Sequence, residues 1–182
     1  HFDELVRSYK EQINGLHEGG CDILFIETVF DTLNAKAALM AADNYFEENN
    51  VSIPVMLSGT ITDKSGRTLS GQTVNAFLIS ISHFPLLSVG FNCALGTKDL
   101  KPYMKRLSDS ADFYTSSHPN AGLPNAFGEY DQSPENMIEQ MKEYLDENLV
   151  NIIGGCCGTT YEHIELLSRE VKKYKPRKLS NV

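Results

Sequence analysis

Two of the four cysteines are adjacent, in the run Ile152-Ile153-Gly154-Gly155-Cys156-Cys157-Gly158-Thr159-Thr160. Adjacent cysteines make a poor disulfide with each other, because neighbouring Cα atoms on a trans peptide sit only about 3.8 Å apart and bridged pairs usually need more. Both sulfurs can nevertheless turn toward one metal ion, and the flanking glycines leave the backbone free to make that turn. The run reads as a short apolar strand, a tight loop and the start of a helix near Tyr161. It therefore offers half of a thiolate metal site at the C-terminal end of a strand.

The elements that would position such a site recur along the chain. Residues 2–18 have helical apolar spacing and stop at Gly19-Gly20. Cys21 to Ile26 is an apolar run ending in Glu27-Thr28, which predicts a strand buried on both faces. A helix follows with Asp31 or Thr32 as N-cap. Strands are predicted again at 53–57, 87–91, 112–116 and 150–153, with helices near 73–82, 99–108, from Pro134 behind an N-cap Ser133, and 161–174. Between the fourth strand and Ser133 lies a long loop rich in Gly, Pro and Asn.

Strands alternating with helices in this way indicate βα units on a parallel sheet. Each strand ends in polar or reactive residues: Glu27-Thr28, Ser58-Gly59-Thr60, Asn92-Cys93, Ser117-His118 and Cys156-Cys157. A ring of functional groups drawn from every strand end suits a barrel, whereas an open doubly wound sheet concentrates its site at one switch point. The expected fold is therefore α/β, a (β/α)8 TIM barrel of which the C-terminal part, about five βα units, is present. Residues 1–174 would form this partial domain and 175–182 a basic linker or tail. The chain opens on His1 rather than Met, which suggests a piece of a longer or processed protein.

In such a barrel Cys93 shares a rim with Cys156 and Cys157, two strands away. Three thiolates are the ligand set of a zinc site that keeps a fourth position open; the alternative is three buried structural thiols. A zinc-bound thiol ionises outright, whereas a free one is only a few per cent thiolate at neutral pH. Three anionic sulfurs leave the metal weakly acidic, so capture of a substrate thiol for alkylation fits better than hydrolysis. Asn120 ends its strand at the same rim and is a candidate oxygen ligand for the resting metal, with turn formation as its ordinary use. Cys21 begins its strand at the opposite rim and reads as a buried free thiol.

Three segments carry a family resemblance: Gly90-Phe91-Asn92-Cys93, the loop His118-Pro119-Asn120-Ala121-Gly122-Leu123-Pro124-Asn125-Ala126-Phe127-Gly128, and Gly154 to Thr160. Together they resemble the homocysteine-binding domain of cobalamin-dependent methionine synthase, within the zinc homocysteine S-methyltransferases. The Gly-Gly-Cys-Cys-Gly run is common to the wider group, and the Pro-Asn-Ala-Gly-Leu-Pro loop points to the cobalamin-dependent branch. The resemblance implies Zn2+ held by Cys93, Cys156 and Cys157, with the homocysteine sulfur as fourth ligand and no separate protein nucleophile. It implies methylcobalamin as methyl donor, bound by a domain outside this chain, and a folate domain in the same or another chain. It also implies substrate binding by Glu27 and Thr28, with the Glu27 carboxylate receiving the homocysteine ammonium. The opening part of the family's barrel has no counterpart here, so a weakly active fragment is expected. The rivals are a homocysteine methyltransferase using betaine or S-methylmethionine, and an inactive zinc-binding remnant.

The net charge of −8 argues against nucleic acid or an anionic membrane as a partner, and no apolar run approaches the roughly 20 residues of a membrane span. With two cysteines adjacent and no signal peptide, a reducing, cytoplasmic setting is expected. His118 would hydrogen-bond the backbone, and His163 would lie solvated on the last helix. Ser65-Gly66-Arg67-Thr68 reads as an ordinary turn, since no helix-opening glycine pattern accompanies it. The basic stretch 172–178 reads as a solvated helix end and linker.

Overall fold

The computed structural model describes residues 1–179. The order is α1 (Phe2–Glu18), β1 (Leu24–Val29), α2 (Thr32–Asn49), β2 (Val55–Gly59), α3 (Val74–Ile81), β3 (Ser88–Gly96), α4 (Thr97–Ser110), β4 (Tyr114–Asn120), α5 (Pro134–Asp146), β5 (Ile152–Ile153) and α6 (Tyr161–Val171). The helix starts follow from local chemistry. Asp31 accepts a hydrogen bond from the Leu33 N–H at 2.6 Å, Thr73 caps α3, and Ser133 caps α5 ahead of Pro134.

All neighbouring strands pair in parallel, in the order β1-β2-β3-β4-β5. A doubly wound sheet would break this sequence at a switch point, and the described strands show none. The sheet is also strongly curved. Phe25 on β1 and His118 on β4 stack with ring centroids 5.1 Å apart, although three strand spacings in a flat sheet amount to roughly 14 Å. Consecutive order with this curvature makes the domain a partial TIM barrel, as the strand ends predict. Its core joins the buried strands β2 and β3 to the inward faces of α2 to α5, with Phe77, Phe91, Leu100, Met104, Met137 and Met141 almost wholly buried. No described helix is long and apolar enough to cross a membrane.

The strands run further toward the rim than the apolar runs suggest. β1 begins at Leu24 and includes Glu27 and Thr28, β3 continues to Gly96 and β4 to Asn120. Parallel pairing, not hydrophobicity, sets these ends, since ladder bonds are indifferent to side-chain polarity. β1 is not buried on both faces: Phe25 is 39% exposed, while Leu24 and Val29 are buried. It is an edge of the sheet, and no described strand covers its far side. Cys21 lies ahead of the strand, half-buried against the core.

The basic stretch after α6 is not solvated throughout. Its lysines are exposed, but Arg177 is only 6% exposed. The guanidinium donates from Nη2 to the Ser108 and Ala111 carbonyls, both at 2.7 Å, from Nη1 to the Phe113 carbonyl at 3.0 Å, and from Nε to Ser108 Oγ at 2.9 Å. It thereby caps the C-terminus of α4, where orphan carbonyls carry partial negative charge. Asn151 at the foot of β5 donates to the Arg177 carbonyl at 2.7 Å, tying the segment to the sheet. Arg177→Ala is expected to lower the unfolding free energy by roughly 2–3 kcal/mol, with Arg177→Lys recovering only part, because three buried carbonyls lose a forked donor. Urea unfolding of the variants checks this. Residues 180–182 of the expected tail lie outside the described residues.

Candidate metal and substrate site

Two strands break their ladders at the C-terminal rim, and both breaks serve the site. The register of β1 against β2 shifts between Ile26 and Val29, and Thr28 adopts φ 56°. The register of β3 against β4 shifts between Asn92 and Gly96, with Cys93 at φ 63° and Ala94 at φ 57°. A left-handed conformation is uncommon for any residue with a Cβ and an outlier for a β-branched threonine. Such bulges re-aim side chains next to functional sites. Here they sit beside Glu27 and at Cys93 itself.

The third segment is the loop after β5, fixed by close contacts. A Cβ on Gly154 would lie 2.6 Å from the His118 ring, and one on Gly158 2.2 Å from Tyr130 Cβ. Gly158 also takes φ 76°. Only glycine lets the chain pass His118 and then turn under Tyr130. The loop is then pinned to β4: the Cys156 N–H donates to the Pro119 carbonyl at 2.9 Å, and the Ala121 N–H to the Cys157 carbonyl at 2.9 Å. The Cys157 N–H donates to Asn120 Oδ1 at 3.1 Å.

These constraints bring Cys93, Cys156 and Cys157 together, with all three sulfurs within 4.8 Å of one another. Cys93 Sγ and Cys157 Sγ are 3.6 Å apart. That is far beyond a disulfide bond of about 2.05 Å, and close to the roughly 3.8 Å edge of a tetrahedron with Zn–S bonds of 2.3 Å. The donor set therefore fits a zinc ion, and four cysteines remain as free thiols. Burial pushes the Cys156 thiol up to about 12, the nearby Cys93 sulfur adds to the rise, and the Asn92 amide opposes it. A thiol such as Cys156 that resists ionisation alone is one a divalent cation would deprotonate.

Asn92 ends its strand beside Cys93, and the motifs give it no role of its own. It is 2% exposed and lies between the carboxylate and the sulfurs. Its Oδ1 accepts from the Thr28 N–H at 2.9 Å, while its Nδ2 lies 2.7 Å from Glu27 Oε2, 2.7 Å from Thr28 Oγ1 and 3.9 Å from Cys156 Sγ. The Thr28 hydroxyl donates in turn to Glu27 Oε2. Tyr130, in the loop after β4, is a second residue of this kind. Its phenol is pushed up by burial and by its hydrogen bond to Cys157. No local pattern singles out either residue, because both contacts join segments distant in sequence.

The histidines depart from expectation. His163 is buried rather than solvated. Its Nδ1 accepts from the Thr160 N–H at 3.1 Å, so its Nε2 carries the proton given to the Gln132 carbonyl at 2.9 Å. It thus closes the start of α6 and ties the cysteine loop to the loop over it. His118 makes no backbone bond through Nδ1, which has no partner among the described residues. Its ring packs between Phe25 and Gly154, and burial lowers its pKa against the opposing charge of Glu27. Ser65 to Thr68 form the expected turn, in which Asp63 accepts from the Ser65 N–H at 2.7 Å.

A partial TIM barrel with three cysteine sulfurs converging on its C-terminal rim presents a cluster that could hold a metal ion. A family model described as homocysteine S-methyltransferase matches residues 1–171. The chain belongs to the homocysteine S-methyltransferase family. Among solved structures it is similar to the homocysteine methyltransferase MmuM from Escherichia coli. The apo form aligns with a TM-score of 0.71 and 18% identity over 93% of this chain and 57% of that one. The metallated form aligns with a TM-score of 0.68, again at 18% identity, over 91% and 52%. The chain thus spans little more than half the length of these structures.

Proposed function

We propose that this chain is the homocysteine-binding part of a methyltransferase that makes methionine from homocysteine, with methylcobalamin as methyl donor. The observation that carries the reading is the convergence of three cysteine sulfurs, one ligand short of a tetrahedron, on a rim that also presents a carboxylate. Cys93, Cys156 and Cys157 would hold Zn2+, which when bound keeps a fourth-ligand thiol ionised at neutral pH. Glu27 receives the substrate ammonium, and Thr28 steadies the carboxylate through its hydroxyl. Asn120 holds the Cys157 amide with one lone pair, which leaves a second for the resting metal. Three ionisable thiols also call for a reducing compartment such as the cytoplasm.

The donor assignment rests on the Pro-Asn-Ala-Gly-Leu-Pro loop, which borders the site through the Ala121 to Cys157 hydrogen bond. Cobalamin and folate would be carried by domains outside this chain. X-ray absorption at the zinc edge tests the central step: three sulfurs should become four when homocysteine is added, and an unchanged count overturns the reading. Offering methylcobalamin, S-methylmethionine and betaine in turn, and measuring which is consumed, tests the donor. The 182-residue chain alone should turn over slowly. An edge strand presents its ladder groups unpaired, and no described strand closes the rim beside β1.

A further inference from the structure

Glu27 is exposed at the rim and next to a strained backbone. A carboxylate so placed is free to rotate toward water, and within its own strand only the Thr28 hydroxyl restrains it. The group that does fix it comes from another strand. Asn92 on β3 bonds Glu27 Oε2 directly and reaches it a second time through the Thr28 hydroxyl. From its other end, Asn92 Oδ1 holds the Thr28 N–H, and so the left-handed turn that separates Glu27 from the regular ladder. The same Nδ2 faces Cys156 Sγ. An amide nitrogen has two protons, and here three acceptors surround it. One buried side chain thus contacts both the ammonium-binding carboxylate and a sulfur of the metal site.

We propose that Asn92 is a positioning residue for substrate: it sets the direction of the Glu27 carboxylate relative to the three sulfurs, so that one homocysteine molecule can place its ammonium and its sulfur at the same time. This deepens, and rests on, the reading of the rim as a homocysteine site. Homocysteine separates its two recognised groups by a short, flexible chain. Its two contacts therefore reinforce each other only if carboxylate and sulfurs keep a fixed separation. Rotamer freedom at Glu27 would remove that advantage while leaving each contact chemically intact.

Two thiols discriminate this role from a structural one: homocysteine, and 4-mercaptobutanoate, which has the same chain and carboxylate but no ammonium. Each is titrated against the zinc-loaded full-length protein, with zinc per chain and sulfur coordination number measured alongside. In the unaltered protein homocysteine should bind the more tightly. Glu27→Gln should cut that preference, and Asn92→Ala should cut it by about tenfold, the size expected when a hydrogen bond to a charged group is lost, with zinc content and 4-mercaptobutanoate affinity unchanged. Asn92 also supports a strained backbone, so Asn92→Ala is repeated in a Thr28→Gly background, where the left-handed turn needs no support, and is read against Thr28→Gly alone, because that change also removes the hydroxyl bonded to Glu27. A positioning role predicts that Asn92→Ala lowers the preference further there, through loss of its direct bond to Glu27.

No further loss of preference when Asn92→Ala is added to Thr28→Gly would show that Asn92 acts only through Thr28 and its backbone, and would overturn the proposal. Equal weakening of both thiols, or loss of zinc, would overturn it as well, while leaving the homocysteine reading intact through Glu27→Gln. A Glu27→Gln protein that keeps its full preference would overturn the role of Glu27 and this proposal together.

Discussion

Cys156→Ala is expected to abolish tight zinc retention and to lower methyl transfer by roughly a thousandfold or more, with little change in fold stability. The size follows from what remains. Outer-shell changes around a metal typically cost 10–100-fold in affinity or activity, and removal of a direct ligand exceeds them. Two thiolates and a substrate thiol would not complete a tetrahedron around zinc, and the thiol would lose the cation that would hold it ionised under the proposed reading. The fold should tolerate the change, because Cys156 is only half-buried and the loop is held by main-chain bonds to Pro119 and Ala121. Zinc per chain, turnover and the urea midpoint together check the expectation. A Cys156→Ala protein with one zinc per chain and turnover within tenfold of the unaltered protein would remove Cys156 from the ligand set.

The second large effect falls on stability. Gly90→Ala adds a Cβ 2.0 Å from the Ser116 carbonyl oxygen, 2.2 Å from its Oγ and 2.7 Å from its carbonyl carbon. Two of these are backbone atoms of β4, paired residue for residue with β3 at Gly90 and Ser116, so no rotamer change relieves the clash. Strands β3 and β4 must separate where they carry Asn92, Cys93 and Asn120. Overpacking in a core commonly costs 1–3 kcal/mol; with backbone on the receiving side, a loss of roughly 3 kcal/mol or more is expected. Gly128→Ala is the comparison, since no atom lies within 4 Å of its added Cβ and only its φ of 81° opposes the change, a cost of about 1–2 kcal/mol. Urea midpoints that fall equally for the two variants would count against the close strand approach as the reason for Gly90.

Gly90 and Cys93 belong to one motif, and the contrast between them shows how much of the site was legible beforehand. That Cys93 joins Cys156 and Cys157 follows from parallel βα order alone, because every strand end then lies at one rim. The reason for Gly90 does not follow, since Ser116 is distant in sequence. Glu27 and Thr28 were legible as a strand end, but their bulge was not. A left-handed threonine is opposed by its own propensity, and the bond that stabilises it comes from Asn92. His163 and Arg177 misled for the same reason. Each sits in a local pattern that favours solvent, and each is buried by contacts with Gln132 or with the end of α4.

The sequence by itself determined the alternation of strands and helices, a helix start at Asp31 or Thr32, the helix cap at Ser133, the parallel barrel order and the three cysteines at one rim. These properties depend on periodicity and on neighbours a few residues away. Only the tertiary structure decided the direction of the Glu27 carboxylate, the turns at Thr28 and Cys93, and the burial of Asn92, His163 and Arg177. Each depends on a hydrogen bond or contact between segments far apart in the chain. Such bonds can hold a backbone or a polar group in a state that local preference disfavours, because leaving them unmade inside the fold costs more than the strain.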